Sequence, residues 1–509
     1  MGTDRQRIMR RYAIAVHRWL GVALAGFFLL WFPSGIGMMY WEFPAVTAAD
    51  RLERAPALRP AAIRLSPAEA ITALGATQPP TRLTLEMFDG RPVYRARGRA
   101  WLKPSRGAGT AGEEAIVYAD TGERQTAVPP AMRDRIAAAW TGEPAGAARV
   151  EPLHDADQWT VDGTFDDLGP LWKYSWPDGR QVYVSQATGD VVQYTTTASR
   201  IGAYLGPIPH WLYFTPLRKH PREWRVLVIS SSAIAVATAM LGLTIGVSLY
   251  SPRKRYRRGA RPTGNPYRGV KRWHLAVGLV FGAAAATWAF SGLLSMEPLR
   301  TGAAIRDERA AREARISASL RGPMQLSAFA SKTPNEALAE LSAFDVKQLE
   351  LATVAGAPVY VATLGHGSTL VAPVVGTPRR AFDHHVIDDL LTRAAEPYRV
   401  ADVRLIDRYD AYYRDRHRRQ PLPVVRLLVD DGSQSRYYVD PATARLVGAY
   451  DSRDWVSRWL YHGLHSLDVP GLADRHPAWD IVMLAFMIGG TALSMTALAL
   501  AWKVLSRAR

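Results

Sequence analysis

Four long runs of apolar residues divide the chain, over residues 19–41, 224–250, 273–296 and 479–502. A membrane-spanning helix needs about 20 predominantly apolar residues, and each run is long enough to supply them. Trp or Tyr lies near the ends of every run, as is typical where a membrane helix meets the lipid headgroups. The pattern therefore predicts an α-helical membrane protein with four transmembrane helices in contact with lipid.

The long connections between these runs have mixed helical and strand patterns. Residues 42–223 and 297–478 each begin with an amphipathic helical pattern, which is followed by strands of period-two alternation. The helical patterns lie at 65–76 and 333–344. We therefore expect two external α+β domains, one in each connection.

The basic residues are concentrated in three short segments beside the helices. The formal net charge is +17, and nearly all of the excess lies in residues 1–18, 251–272 and 503–509. Short basic segments stay on the cytoplasmic side of a membrane. We therefore expect a multi-pass protein of the bacterial inner membrane with both termini in the cytoplasm and both long connections in the periplasm. The charge reflects topology, so no nucleic-acid partner is expected.

The two halves of the chain repeat one pattern. The first and third apolar runs align without a gap, which places His17 on His274 and Ser34 on Ser291. Shared apolar composition alone would not match polar residues in this way. The agreement predicts a tandem duplication of helix, external domain and helix, arranged as parallel repeats.

Histidine is the residue type that points most directly to chemistry. The chain has 12 histidines and no cysteine, and most of the histidines lie at the ends of the apolar runs. Without cysteine, thiolate-bound iron–sulfur clusters and covalent haem attachment are excluded. Imidazole is an axial ligand of haem iron, so bis-histidine b haems are the natural redox centres for such a chain.

One layer of histidines lies on the expected cytoplasmic side. His17 and His274 begin helices that enter from that side, and we expect them to ligate one haem from opposite faces. Gly21 and Gly278 lie one turn later on the same helix face and would leave room for a flat ring. The alternative for each histidine is an interfacial contact with headgroups or water.

A second layer lies on the periplasmic side, where several ligand sets are open. The candidates are His210 and His220 from the first half and His462 and His465 from the second. When the halves are aligned by a shared Trp-Leu-Tyr motif, His210 faces Arg458, so a second haem would be ligated asymmetrically. His220 and His476 precede proline and could simply mark the start of a helix.

Two polar runs in the second connection are weaker candidates. The doublet His384-His385 could bind a metal ion or lie in an exposed polar loop. The basic and aromatic run 410–423 could contact an anionic ferric chelate or be a solvated loop. The sequence has no Walker A, dinucleotide-binding, HExxH or GxSxG motif. No nucleotide or flavin site is therefore expected, and a separate donor must supply any electrons.

Several runs carry a resemblance to a known family. They are His17-Arg18-Trp19-Leu20-Gly21, residues 287–298 and 458–468, and hairpins similar to the PepSY domain, with a second such unit expected at 171–192 and 424–447. With them the chain resembles the PepSY-associated transmembrane-helix family of bacterial inner-membrane proteins. The resemblance implies PepSY-like external domains. Some members of the wider family are haem-containing reductases of ferric siderophores, and others have no known chemistry.

Two functions follow as expectations. The first is an inner-membrane electron-transfer protein with two b haems. It would pass electrons from a cytoplasmic or membrane donor to a periplasmic ferric siderophore or another metal chelate. The alternative is a non-enzymatic, membrane-anchored PepSY protein that binds or regulates a periplasmic partner such as a peptidase.

Overall fold

The computed structural model describes residues 2–76, 78–98, 114–253, 255–257, 262–297 and 303–507. Part of the basic charge used to predict topology lies outside the described residues, at Lys254, Arg258, Arg261 and Arg509. The helices are α1 (Gly2–Tyr40), α2 (Ala48–Arg54), α3 (Pro67–Ala73), α4 (Pro130–Thr141), α5 (Thr197–Leu205), α6 (Pro207–Trp211), α7 (Thr215–Arg218), α8 (Pro221–Leu249), α9 (Gly269–Leu294), α10 (Ala303–Leu320), α11 (Pro334–Glu340), α12 (His384–Ala394) and α13 (Ala478–Leu505).

Within the described ranges, four helices are long and apolar enough to cross a membrane, namely α1, α8, α9 and α13. They cover the four predicted apolar runs to within two residues at the ends, so the prediction of a multi-pass helical membrane protein is confirmed. Helix α1 packs against α8 and α13, and α9 packs against the same two helices. This arrangement puts α1 and α9 at opposite corners of a four-helix bundle.

The strands form sheets outside the bundle. They are β1 (Arg82–Phe88), β2 (Arg91–Arg97), β3 (Glu114–Tyr118), β4 (Arg149–Leu153), β5 (Leu171–Ser175), β6 (Gln181–Ser185), β7 (Val191–Thr195), β8 (Tyr256–Arg257), β9 (Pro262–Thr263), β10 (Val346–Val354), β11 (Ala357–Leu364), β12 (Thr369–Pro373), β13 (Arg399–Ile406), β14 (Val424–Asp430), β15 (Arg436–Asp440) and β16 (Arg445–Tyr450). Strands β4–β7 and β13–β16 each form a four-stranded sheet, one in each half.

The largest sheet joins the two halves of the chain. Its order is β12-β11-β10-β1-β2-β3, so the antiparallel pair β1–β10 connects the first external segment to the second. Leu83 pairs with Leu351 and Leu85 with Leu349. All four leucines are buried in one core, which α3 and α11 cover. The two external segments, expected as two domains, therefore share a six-stranded sheet and a core.

The helices that cover this sheet begin with the same local signal. Ser66 caps α3 and Thr333 caps α11, each in a capping box with the glutamate three residues later, Glu69 or Glu336. The side chain of the first residue accepts a backbone N–H, and the glutamate accepts one in return, which satisfies two otherwise free donors. The predicted helices at 65–76 and 333–344 are confirmed, although both end earlier than predicted.

The opposite face of the shared sheet is covered by α4 and α12. One side of helix α4 packs on strands β2 and β3, and its other side packs on the first four-stranded sheet. Helix α12 occupies the corresponding layer in the second half. The external region thus has four layers, namely α3 with α11, the shared sheet, α4 with α12, and the two four-stranded sheets. Helices α5 and α6 connect it to the bundle by packing against α1.

A buried ion-pair cluster lies where the two halves meet. Glu350 on β10 pairs with Arg82 on β1 at 3.4 Å, with Arg321 at 2.5 Å, and with Arg445 on β16. The Glu350 side chain is only 10% exposed. Burial alone would raise the pKa of this carboxyl, but the three guanidinium groups together hold the pKa below its ordinary value. One carboxylate therefore connects three elements of the external region.

Replacing Glu350 by Gln should destabilise the external region. The substitution leaves three guanidinium groups without their shared anion, and removing one partner of a buried ion pair costs about 3–5 kcal/mol. We expect a clearly lower thermal unfolding midpoint of the purified protein in detergent. Glu308→Gln, at an exposed glutamate, is the control and should leave the midpoint unchanged. Equal midpoints for both variants would contradict the role assigned to Glu350.

Candidate functional site

The structure brings His17 of α1 and His274 of α9 together inside the bundle. Their ring centroids are 6.3 Å apart, with 41° between the ring planes. Because α1 and α9 occupy opposite corners, each ring reaches inward from its own half of the chain. This pair lies at the terminal end of the bundle, defined here as the end from which α1 and α9 start.

Hydrogen bonds fix the tautomer of both rings. Nδ1 of His17 lies 3.1 Å from the carbonyl oxygen of Thr238, which can only accept, so Nδ1 carries the proton. Nδ1 of His274 lies 3.0 Å from Oγ1 of Thr496, whose own proton is donated to the Leu493 carbonyl. In both rings the proton is therefore on Nδ1, and Nε2 keeps a free lone pair.

A second pair of rings lies at the other end of the bundle, on the side of the sheets. His210 of α6 and His465 have ring centroids 5.9 Å apart, with 70° between the ring planes. His465 directly follows a π-helical segment, Val456–Gly463, which packs against α9. Of the open ligand sets at this end, the structure brings together His210 and His465.

The second pair is also held through Nδ1. His210 Nδ1 lies 3.1 Å from the Trp31 carbonyl oxygen and 3.2 Å from Ser34 Oγ. His465 Nδ1 lies 2.9 Å from Ser291 Oγ, and that hydroxyl donates to the Trp288 carbonyl. These rings, too, keep the Nε2 lone pair free.

Two serines that match in the alignment of the two halves, Ser34 and Ser291, each contact one histidine of the pair at the sheet end. Ser34 and Ser291 occupy matching positions in α1 and α9, and each lies beside a histidine supplied by its own half. Alignment by the Trp-Leu-Tyr motif instead set His210 against Arg458. The environments of His210 and His465 are therefore more alike than that alignment indicated, and the serine positions were the signal that could have found the pair.

Burial keeps the second pair neutral. His210 and His465 lie outside the four spanning helices, and burial lowers the pKa of His210 to about 4 and that of His465 to about 3. Neutral imidazole is the form that binds a metal ion. At neutral pH both rings are therefore ready to act as ligands.

A cavity of about 290 Å³ opens beside the second pair. Its wall is mostly apolar and aromatic, and it draws residues from all four spanning helices as well as from both histidine segments. The aromatic members are Phe28, Trp31, Phe32, Trp211, Tyr213, Trp224, Trp288 and Tyr461. A partly apolar cavity with two convergent imidazoles is a typical place for a flat cofactor.

The two pairs are far apart along the bundle. The stretch of α1 from His17 to Ser34 spans about 25 Å at a rise of about 1.5 Å per residue. The stretch of α9 from His274 to Ser291 has the same length. The pairs thus lie near opposite ends of a hydrocarbon layer about 30 Å thick.

The remaining histidine candidates lie elsewhere. His220 and His476 are exposed, and His476 Nδ1 is 2.6 Å from a carboxylate oxygen of Asp480. His462 is also exposed, and its ring lies 4.7 Å from that of Tyr461. The structure therefore does not bring these three into either pair.

The basic run 410–423 packs over the sheet end of the bundle. The Arg414 side chain is 8% exposed and pairs with Asp468 and Asp474. The Arg416 guanidinium lies 4.0 Å from the ring centroid of Trp479 in α13. The run therefore connects the second external segment to the bundle through Arg414 and Arg416, whereas its residues 416–419 are exposed.

The residues of both pairs are of the type that would hold a haem iron, because each pair brings two imidazole rings from different segments close together, with centroids 6.3 Å and 5.9 Å apart. At the terminal end, a Cβ built on Gly21 would have no neighbour within 4 Å, whereas one on Gly278 would be 3.6 Å from Leu493. The donor set, four neutral imidazoles with Nε2 free, suits bis-histidine ligation.

Comparison with known proteins adds one finding. The family model of the PepSY-associated TM region matches residues 14–503, which is nearly the whole chain. A search of curated proteins finds no match. The match covers all four spanning helices and both external segments.

Replacing Gly242 by Ala should disturb the pair at the terminal end. A Cβ on Gly242 of α8 would lie 2.6 Å from Cε1 of His17. Such overpacking costs about 1–3 kcal/mol, more than the roughly 0.5–1 kcal/mol that alanine gains over glycine in a helix. We expect a lower thermal midpoint in detergent.

The matched control is Gly26→Ala in α1, where a Cβ would meet no atom within 4 Å. It should keep or raise the midpoint, because only the helix preference changes. A Gly242→Ala midpoint as high as that of Gly26→Ala would show that the His17 ring is not packed against α8.

Proposed function

We propose, from the premise that the chain belongs to the PepSY-associated TM family, that it is an electron-transfer protein of the bacterial inner membrane holding two b haems. The observation that carries the proposal is the arrangement of four imidazoles in two facing pairs, one pair near each end of the bundle. Each pair takes one ring from each half of the chain. Ordinary interfacial histidines would face headgroups or water instead.

The residues that would hold the cofactors are His17 with His274 at the terminal end and His210 with His465 at the sheet end. Haem held by these imidazoles would supply a one-electron redox centre at each end of the bundle. Thr238 and Thr496 orient the first pair through Nδ1. Such outer partners fix the ring orientation and increase the basicity of the ligating nitrogen.

At the sheet end, serine and aromatic side chains orient the second pair of histidines. Ser34 and Ser291 hold Nδ1 of His210 and His465, and the Trp288 indole donates to the Leu464 carbonyl at 2.9 Å. That last bond fixes the backbone beside His465. The mostly apolar cavity wall would surround a cofactor bound there, and apolar surroundings favour the form of a redox centre with the smaller net charge.

The direction of transfer follows from the proposed topology. With the basic flanks in the cytoplasm, His17 and His274 lie near a cytoplasmic or membrane donor. His210 and His465 then lie near the periplasm, where a ferric siderophore or another metal chelate would be the acceptor. Two redox sites would divide the apolar thickness of about 30 Å into shorter distances.

The alternative function, an anchored PepSY protein that restrains a periplasmic peptidase, would use the external sheets alone. It assigns no role to the two histidine pairs or to the hydrogen bonds that fix their tautomers. The electron-transfer proposal accounts for these features, and we therefore prefer it.

The purified protein should contain two bis-histidine haems. In detergent it should show a Soret band and, on reduction, sharp α and β bands. His17→Ala and His210→Ala should each remove about half of the haem per chain, because each variant loses one axial ligand of one pair. Haem content is measured by the pyridine haemochrome method on protein of known concentration.

His220→Ala and His476→Ala are the matched controls, because both histidines are exposed and lie outside the pairs. Both controls should keep the full haem content. A folded but colourless protein from haem-replete cells would overturn the proposed function. Full haem retention in His17→Ala and His210→Ala would overturn the assigned pairs.

The proposed orientation can be tested by single-cysteine labelling, because the natural chain has no cysteine. Arg7→Cys marks the terminal side, and His366→Cys marks an exposed turn of the external region. In intact spheroplasts, a membrane-impermeant maleimide should label His366→Cys alone. After lysis it should label both variants. The reverse pattern in spheroplasts would mean that the termini are periplasmic.

A further inference from the structure

A second group of metal-ligating side chains lies far from the bundle, at the start of α12. Asp383, His384 and His385 place one ligand atom each within 4.8 Å of one another. The rings of His384 and His385 have centroids 4.1 Å apart. Both rings are accessible, since the His384 side chain is 41% exposed and the His385 side chain 77%.

A fourth group, Asp388, lies beside these three. Its Oδ2 is 3.8 Å from Nδ1 of His385, and its side chain is only 19% exposed. Its other oxygen, Oδ1, is buried and has no hydrogen-bond partner in the described part of the chain. Oδ2 is the oxygen that faces His385, and a cation bound beside it would compensate the charge of this largely buried carboxylate.

The first half shows what this position looks like without such a cluster. Helices α4 and α12 occupy the same layer, and Asp134 lies five residues after the N-cap of α4, as Asp388 does in α12. Asp134 accepts a hydrogen bond of 2.7 Å from the hydroxyl of Tyr174 on β5. In the first half, therefore, the buried carboxylate has a protein partner.

The second half lacks that partner and has two imidazoles instead. The sequence YSWPDG at 174–179 corresponds to LLVDDG at 427–432, so Leu427 stands where Tyr174 stands in the first half. Both side chains are fully buried. At the start of the helix, His384 and His385 replace Pro130 and Ala131. Asp388 therefore has His385 as its neighbour, where Asp134 has the hydroxyl of Tyr174.

We infer that Asp383, His384, His385 and Asp388 form a binding site for a divalent late transition-metal ion, of the Zn²⁺, Ni²⁺ and Cu²⁺ class. Two imidazole nitrogens and carboxylate oxygens are the donors that these ions accept in proteins. Calcium and magnesium prefer all-oxygen sites and are excluded by the two imidazoles. The site lies outside the helix bundle, and its metal binding does not depend on the electron-transfer function proposed for the bundle.

The local charges support a cation at this position. The positive N-terminal end of a helix disfavours a cation by about 0.3–1 kcal/mol. The negative charges of Asp383, Asp388 and Asp389 oppose this unfavourable helix-end field. Both imidazoles bind a metal in their neutral form and so add no positive charge. Asp383 also caps α12 by accepting the backbone N–H of His385, which holds the ligands at the helix start.

Zinc binding to the full-length protein tests the site. The protein in detergent is freed of metal with a chelator and titrated with ZnCl₂ by isothermal calorimetry, in wild type and in the double variant His384→Ala/His385→Ala. We expect the double variant to bind one Zn²⁺ fewer per chain. Asp388→Asn should weaken the same binding event at least tenfold, because it removes a ligand charge but keeps the side-chain shape.

The matched control is His366→Ala, at an exposed histidine outside the cluster. It should bind zinc as the wild type does. Any zinc bound by the bundle histidines is the same in all variants, so the difference between them reports this site alone. An equal zinc stoichiometry and affinity in wild type and double variant would overturn the site.

A spectroscopic readout keeps the test independent of stability. Cu²⁺ added at one equivalent should give an electron paramagnetic resonance spectrum with nitrogen hyperfine structure in the wild type. The double variant should lose this signal. Its thermal midpoint should match the wild type, because both replaced side chains are largely exposed. Nitrogen-coupled signals of equal shape and intensity in the wild type and the double variant would contradict the assignment.

Discussion

An imidazole inside an apolar helix bundle must place its N–H group on a hydrogen-bond acceptor, and this requirement organises the spanning region. Nδ1 takes a hydroxyl or carbonyl of the surrounding helices, as His17 does with Thr238 and His465 with Ser291. Nε2 takes no part in these bonds, and the ring centroids of the two pairs lie 6.3 Å and 5.9 Å apart. Gly242 adds the space that the His17 ring needs. Each of these positions follows from placing a polar ring where water is absent.

The external region imposes a second constraint on the same pairs. Each pair takes one ring from each half, so its spacing depends on how the halves are held together. The β1–β10 strand pair and the Glu350 cluster make that connection outside the membrane. Helices α5 and α6 link the external region to His210, and the π-helical segment links it to His465. The sheets are therefore part of what positions the rings.

The spanning helices and the pair His17–His274 could be predicted because both depend on local pattern. Apolar length determines the helices, and the same ungapped alignment that matches α1 with α9 matches these two histidines. The pair His210–His465 could not be assigned in this way. His210 lies on a five-residue helix and His465 follows a π-helix. A π-helix changes the number of residues per turn and so rotates the side chains that follow it. Residue spacing alone does not reveal that rotation.

The shared sheet was also beyond reach of the sequence, because β1 and β10 have the same alternation that a separate domain would have. Their register has a further consequence. Leu83 opposite Leu351 and Leu85 opposite Leu349 are symmetry-related contacts, as in a twofold dimer interface. A half-length chain would leave this strand edge open, and an open edge recruits a second copy. In the full chain the two strand edges pair within one molecule, so neither β1 nor β10 is left open to a second copy.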